Sequence, residues 1–227
     1  MTHEDYIYLD TETTGLEKPE VIEVGWVSAE ESRQGVTRFK PSSPISLGAM
    51  LTHGILEEDL RDCSAPDTAL GYVPKAHFWI GHNIQFDWEA LGAPAGITLI
   101  DMLPMARALL PKLDSHKLGV LYLHFFGASR RSLDFLKQSH GALFDSLLAR
   151  LVLPELLALG GKTHLLCDEG MPELYSWIEE LKVPKIMTFG KYKGMAIRDV
   201  PYGYVTWYRR QEDQDPYLLQ AFRLAGK

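Results

Sequence analysis

The order in which two hydrophobic periodicities follow one another along this chain limits its fold more than any other feature. Tyr6-Ile-Tyr-Leu9 is a short run of β-forming residues that ends at an acidic, Thr-rich loop. Val21 to Val27 alternates apolar and polar residues, and Val36 to Lys40 can pair beside it as a third strand. Ala76 to Ile80 makes a fourth strand that runs into Gly81-His82-Asn83, and Thr98 to Ile100 a fifth. Residues 57–76 read as helical, with Pro66 and Pro74 blurring the ends, and another helix is expected to start near Phe86. Helical spacing then dominates over 102–110, 115–126 and 142–158. Strands first paired and then interleaved with helices predict an α/β fold, a mixed sheet flanked by helices.

Leu159-Gly160-Gly161 closes this body. Residues 160–171 show little periodicity and contain three glycines, which reads as a linker. The expected organisation is therefore a main domain over 1–159, a linker and helix over 160–183, and a small basic module over 184–227. Charge divides in a similar way. Residues 1–181 carry 14 Lys+Arg against 26 Asp+Glu, a net of −12, whereas residues 182–227 carry 9 against 4, a net of +5. An acidic body with a basic tail suits a metal site beside a surface that holds a polyanion.

No stretch approaches the roughly 20 apolar residues that a bilayer span needs, so no membrane association is expected. The start, Met1-Thr2-His3-Glu4-Asp5, lacks the basic and apolar regions of a signal peptide. Cys63 and Cys167 are the only cysteines, too few for a disulfide framework or a Cys-rich zinc site. A reduced, cytoplasmic protein is the default expectation.

Three acidic elements carry the chemistry. Asp10-Thr11-Glu12 falls where the first strand ends, and residues two apart in a strand point to the same face, so both carboxylates can converge on one cation. Thr13-Thr14-Gly15-Leu16 then turns away. Asp87, in Gly81-His-Asn-Ile-Gln-Phe-Asp87, follows a strand and a polar turn. His140-Gly-Ala-Leu-Phe-Asp145 is the third: Gly141 favours a loop for His140 and the first helical turn for Asp145. A carboxylate near a helix N-terminus is held ionised, as a metal ligand must be. Taken singly, each element has a bland reading as a solvated acid or a helix cap.

Together the three elements resemble the DEDDh, or DnaQ-like, family of 3′→5′ exonucleases. Asp10 and Glu12, then Asp87, then His140 and Asp145 match its motifs in order and spacing. Leu9-Asp-Thr-Glu-Thr-Thr-Gly-Leu16, His82-Asn83 before Phe86-Asp87, and His53-Gly54-Ile55 agree as well. The resemblance covers residues 6–158, and Thr188-Phe-Gly-Lys-Tyr-Lys-Gly194 with Asp199, Tyr204 and Trp207 resembles the tail of the exodeoxyribonuclease X group within that family.

The resemblance implies a ribonuclease H-like five-stranded mixed sheet with a small C-terminal appendage. It implies an exodeoxyribonuclease that releases 5′-mononucleotides, acting in repair or strand trimming on single-stranded or frayed 3′ ends of DNA. Two Mg²⁺ ions, replaceable by Mn²⁺, would be held by Asp10, Glu12, Asp87 and Asp145. Two ions about 3.5–4 Å apart stabilise both the attacking and the leaving oxygens. His140 would be the general base, its ordinary pKa of about 6.5 suiting that task. Substrate contacts are expected from Thr13, Gly15, Leu16, Asn83 and Phe86, and from Lys191 and Lys193 in the basic tail.

Asp101 is better placed to cap a helix than to act in catalysis. Tyr202, Tyr204, Trp207 and Tyr208 can stack on bases, and their spacing equally fits a core-facing stripe. The same acids would serve an exoribonuclease of the RNase T or oligoribonuclease type acting on RNA, because discrimination rests on the 2′-hydroxyl. An inactive nucleic-acid-binding protein on the same fold is the alternative from another class; the presence of all five motif residues argues against it.

Overall fold

The computed structural model describes residues 4–30, 32–137 and 141–227. Five strands form one sheet: β1 (Glu4–Thr13), β2 (Val21–Ser28), β3 (Gln34–Arg38), β4 (Ala76–Gly81) and β5 (Thr98–Asp101). Their order is β3-β2-β1-β4-β5. β1, β2 and β3 pair antiparallel, whereas β4 joins β1, and β5 joins β4, in parallel. The mixed sheet follows from the connections: short loops join the first three strands, and parallel neighbours need longer crossovers. This is the ribonuclease H-like arrangement.

The pleat of β1 sorts its residues between two layers. Ile7 and Leu9 enter one core with Val24, Phe39, Trp79, Ile84 and Leu91. Tyr6 and Tyr8, also buried, lie on the other face with Asp10 and Glu12. That second face is covered by α6 (Ala142–Leu159), which lies across β1 and β2 and buries Leu148, Ala149, Val152, Leu153 and Leu156.

Several elements differ from the sequence expectation. Residues 57–76 form no α-helix; they make two 3₁₀ segments, Glu57–Leu60 and Pro66–Tyr72, before β4 begins. Pro66 starts the second one, where its missing N–H costs nothing. The helix before them, α1 (Leu47–His53), ends at Gly54 in the left-handed conformation. α2 (Ile84–Ala90) starts two residues earlier than expected, directly after left-handed Asn83. α3 (Met102–Leu109) and α4 (Leu118–Phe126) fall where helical spacing placed them, and α5 (Arg130–Lys137) precedes α6.

The chain divides into two compact units, the first running to Tyr175 and the second spanning Ser176–Lys227. Residues 160–170 belong to the first unit. They include 3₁₀ turns at Thr163–Leu165 and Asp168–Gly170, and Leu165 is buried. A Cβ at Gly170 would come within 2.4 Å of the Leu165 carbonyl oxygen, so that glycine permits close packing, whereas Gly161 has open space and a left-handed backbone. The division falls within α7 (Met171–Lys182).

The second unit has its own core of Met187, Ile197, Val200, Val205, Tyr208, Leu218, Ala221 and Phe222. It contains α8 (Tyr202–Tyr208) and α9 (Pro216–Leu224), the latter capped by Asp215 through the N–H groups of Tyr217 and Leu218. Among the described residues, no helix is long and apolar enough to cross a membrane.

Candidate active site

Asp10 and Glu12 stand near the end of β1, opposite Gly25 and Glu23 of β2 respectively. Residues directly opposite share a face, so all four positions look toward α6. The pairing shifts between Glu12 and Thr13, an irregularity that ends the strand just past the two acids. Beyond it the loop is pinned: the Thr13 hydroxyl donates to the Gly15 carbonyl (2.9 Å), and the Ser46 N–H to the Thr14 carbonyl (2.8 Å).

Asp87 reaches the same strand from the first turn of α2, whose Ile84 and Leu91 belong to the opposite core. Its Oδ1 accepts two hydrogen bonds from Thr11, one from the backbone N–H (2.8 Å) and one from the hydroxyl (2.6 Å). β4 pairs with β1 only as far as Tyr8, so the carboxylate takes up a donor that strand pairing no longer serves. The turn before α2 is held by Asp101. Its Oδ1 accepts the N–H of Leu103, capping α3, and also the N–H of Asn83. Asp101 therefore has the structural role that its position suggested.

Asp145 lies in the first turn of α6, after the N-cap Gly141, and lines a cleft of about 1130 Å³ together with Asp10. His140 lies outside the described residues.

Burial and mutual repulsion act on these acids. Burial first, then the charges of Asp87, Asp145, Glu12 and Glu23, push the Asp10 pKa well above the carboxylate range. Burial, then Asp145, Glu23 and Asp87, push Glu12 up to about 8. Burial raises Asp87 to about 7 against the lowering effect of its two Thr11 hydrogen bonds. Like charges this close disfavour full ionisation unless something positive joins them. Among the described residues no Lys or Arg forms an ion pair with Asp10, Glu12 or Asp87.

An oxygen-only donor set of carboxylates fits a hard divalent cation. Among the described residues no three His, Cys, Asp or Glu side chains stand close enough together to hold a metal ion by themselves.

The remaining expected contacts divide. Leu16 is 85% exposed, an apolar side chain held in solvent beside the acids and not a core residue. Asn83 is exposed and lines the cleft, Phe86 is half-buried, and Thr13 is buried. Lys191 and Lys193 are exposed on the second unit, with the Lys191 ammonium 5.5 Å from the Tyr192 ring centroid. In the same unit Tyr208 is core, whereas Tyr202 and Trp207 are exposed.

Sequence reasoning overlooked Thr11, Glu23, and the cleft-lining cations Arg107 and Lys117. The first two act through strand register and contacts distant in sequence, which a linear motif does not display. Arg107 lies in the last turn of α3 and Lys117 just before α4, where a basic residue near a cleft is indistinguishable in sequence from a solvated one.

Comparison with known proteins gives the lineage. The chain is 31% identical over 200 residues to the DNA polymerase III subunit epsilon of Pasteurella multocida, covering 74% of this chain and 73% of that protein. The chain belongs to the DnaQ-like 3′–5′ exonuclease family. Within that family it is 27% identical over 222 residues to Exodeoxyribonuclease 10 of Escherichia coli, across 92% of this chain and 93% of the relative. Its fold matches the structure of Exonuclease X in complex with 5′ overhanging duplex DNA, with a TM-score of 0.59 and 22% identity. That match covers 75% of this chain and 99% of the other. Residues 177–215 match a family described as “Putative quorum-sensing-regulated virulence factor”.

Proposed function

We propose that this DnaQ-like exonuclease removes nucleotides one at a time from 3′ ends of DNA by metal-assisted hydrolysis, releasing 5′-mononucleotides. What supports the reading is placement: Asp10 and Glu12 share a face near the end of β1, Asp87 is hydrogen-bonded to Thr11 between them, and Asp145 lines the same cleft as Asp10. In this reading Asp10, Glu12, Asp87 and Asp145 hold two Mg²⁺ ions, which Mn²⁺ can replace. When bound, such ions supply Lewis-acid stabilisation of the charge that develops on the phosphate.

The chain's own groups do the rest. The Thr11 hydrogen bonds orient Asp87 and favour its ionised form. His140, assigned by its motif position, takes a proton from the attacking water. Thr13, Gly15, Asn83 and Phe86 seat the terminal nucleotide, and Leu16 offers its exposed apolar surface to the last base. Arg107 and Lys117 on the cleft wall, and Lys191 and Lys193 on the second unit, neutralise DNA phosphates. Single-stranded or frayed ends are the expected substrate, in repair or strand trimming.

The test incubates 5′-labelled single-stranded DNA, duplex DNA and RNA with the protein and Mg²⁺. A ladder shortening from the 3′ end of DNA, with mononucleotides released, is expected. Endonucleolytic fragments, or degradation restricted to RNA, would refute the reading.

A further inference from the structure

Glu23 is a buried carboxylate that neither the motif nor the proposed chemistry uses. It stands directly across from Glu12, an arrangement of like charges that costs stability unless something offsets it. Both of its oxygens are engaged. Oε2 forms an ion pair with Arg38 Nε at 2.7 Å, from the neighbouring strand β3, and Oε1 accepts the Ala142 N–H at 2.9 Å. The second bond joins residues 119 apart in sequence.

Ala142 opens α6, and its N–H is among those a helix leaves without an internal partner. A negative group there also meets the positive end of the helix dipole. The surrounding backbone is shaped for this contact. A Cβ on Gly141 would come within 2.6 Å of Glu23 Oε1, and one on Gly25 within 2.1 Å of the Leu143 nitrogen. One turn on, the Ser146 hydroxyl donates to the Gly25 carbonyl at 3.0 Å. The first turn of α6 is thus fixed to β2 at Ala142, Leu143 and Ser146, and Asp145 lies within it.

We infer that Glu23 is a positioning residue that clamps the start of α6 to β2 and so sets where Asp145 stands relative to Asp10 and Glu12. Its oxygens serve Arg38 and Ala142, which distinguishes it from the metal-holding acids. The role of Asp145 in this inference rests on the proposed metal-dependent function; the clamp itself does not.

Glu23→Ala removes both acceptors, whereas Glu23→Gln keeps one oxygen for the Ala142 N–H and gives up the ion pair with Arg38. Amide hydrogen exchange read by NMR should show Ala142 protection lost in Glu23→Ala and kept in Glu23→Gln. Mn²⁺ binding followed by electron paramagnetic resonance should weaken about 10- to 100-fold in Glu23→Ala, the usual effect of removing a group that orients a metal ligand. Glu23→Gln should recover most of that loss, with KM for DNA unchanged in both. Should Glu23→Ala fail to fold, Gly141→Ala carries the test, since its Cβ must displace Oε1. Unchanged Ala142 protection, or a glutamine variant as impaired in Mn²⁺ binding as the alanine one, would overturn the clamp. Wild-type protein inactive on DNA would instead sink the functional reading and leave the exchange result to decide the clamp.

Discussion

Thr11 holds Asp87 by two hydrogen bonds to a single carboxylate oxygen, at 2.8 Å from its N–H and 2.6 Å from its hydroxyl. The residue between the two acids of the first motif therefore anchors the acid of the second. Its side chain points away from Asp10 and Glu12, as strand alternation requires, and meets α2 arriving from the other layer. Thr11→Val keeps the shape and the N–H but deletes the hydroxyl donor. It should weaken apparent Mg²⁺ affinity by about 10-fold or more and shift the pH–rate profile toward higher pH, because Asp87 loses a bond that favours ionisation. Mg²⁺ titrations of activity at several pH values check this; an unchanged half-saturation and profile would remove Thr11 from the account.

The repelling carboxylates also set how stability depends on pH. Glu12 and Asp87 titrate at about 8 and about 7 in the fold, above their ordinary values, so the folded state holds protons that the unfolded chain has released. The metal-free protein should therefore lose stability as pH rises from about 4 toward 8. Added Mg²⁺ should raise Tm more at pH 8 than at pH 6, since it competes with protons for the same oxygens. Asp10→Asn should melt higher than wild type in EDTA at pH 8. Scanning fluorimetry across this range decides it, and a metal-free Tm that climbs with pH would contradict the charge argument.

Leu16 offers a different test. An apolar side chain 85% exposed gains about 1.5–3 kcal/mol when buried. If the terminal base covers it, Leu16→Ala should raise KM for DNA about 10-fold and leave Tm unchanged. Equal KM values in steady-state assays would assign Leu16 to the ordinary exposed surface.

The strand layout and the four carboxylates were legible because both are local signals. Alternation marks β1 and β2, and each acid sits beside a strand end or helix start that its neighbours announce. The stretch 57–76 was misread because Pro66 and Pro74 bound a segment whose spacing suits α and 3₁₀ turns alike. α1 spans only seven residues, under two turns, too short for its periodicity to stand out. Glu23 was invisible for another reason: its meaning lies in a register opposite Glu12 and in a helix 119 residues away.

The second unit is expected to act through charge. Lys191 and Lys193 flank Tyr192 on an exposed turn. Each phosphate contact contributes a slope of about −0.7 in log affinity against log salt on single strands. The double variant Lys191→Ala/Lys193→Ala should weaken oligonucleotide binding and flatten that slope by about 1.4, while turnover of a small phosphodiester analogue stays near wild type. An unchanged slope in fluorescence anisotropy titrations would show that these lysines do not meet phosphate.

The activity expectations depend on the carboxylate cluster cutting DNA from the 3′ end with divalent metal. This cleavage is tested most directly by following 5′-labelled single-stranded DNA with wild type, Asp10→Ala and Asp101→Ala, each with Mg²⁺ and with EDTA. Stepwise shortening is expected from wild type and Asp101→Ala in Mg²⁺, and none from Asp10→Ala or from any of the proteins in EDTA. Near-normal cleavage by Asp10→Ala, or a wild-type rate indifferent to EDTA, would contradict it.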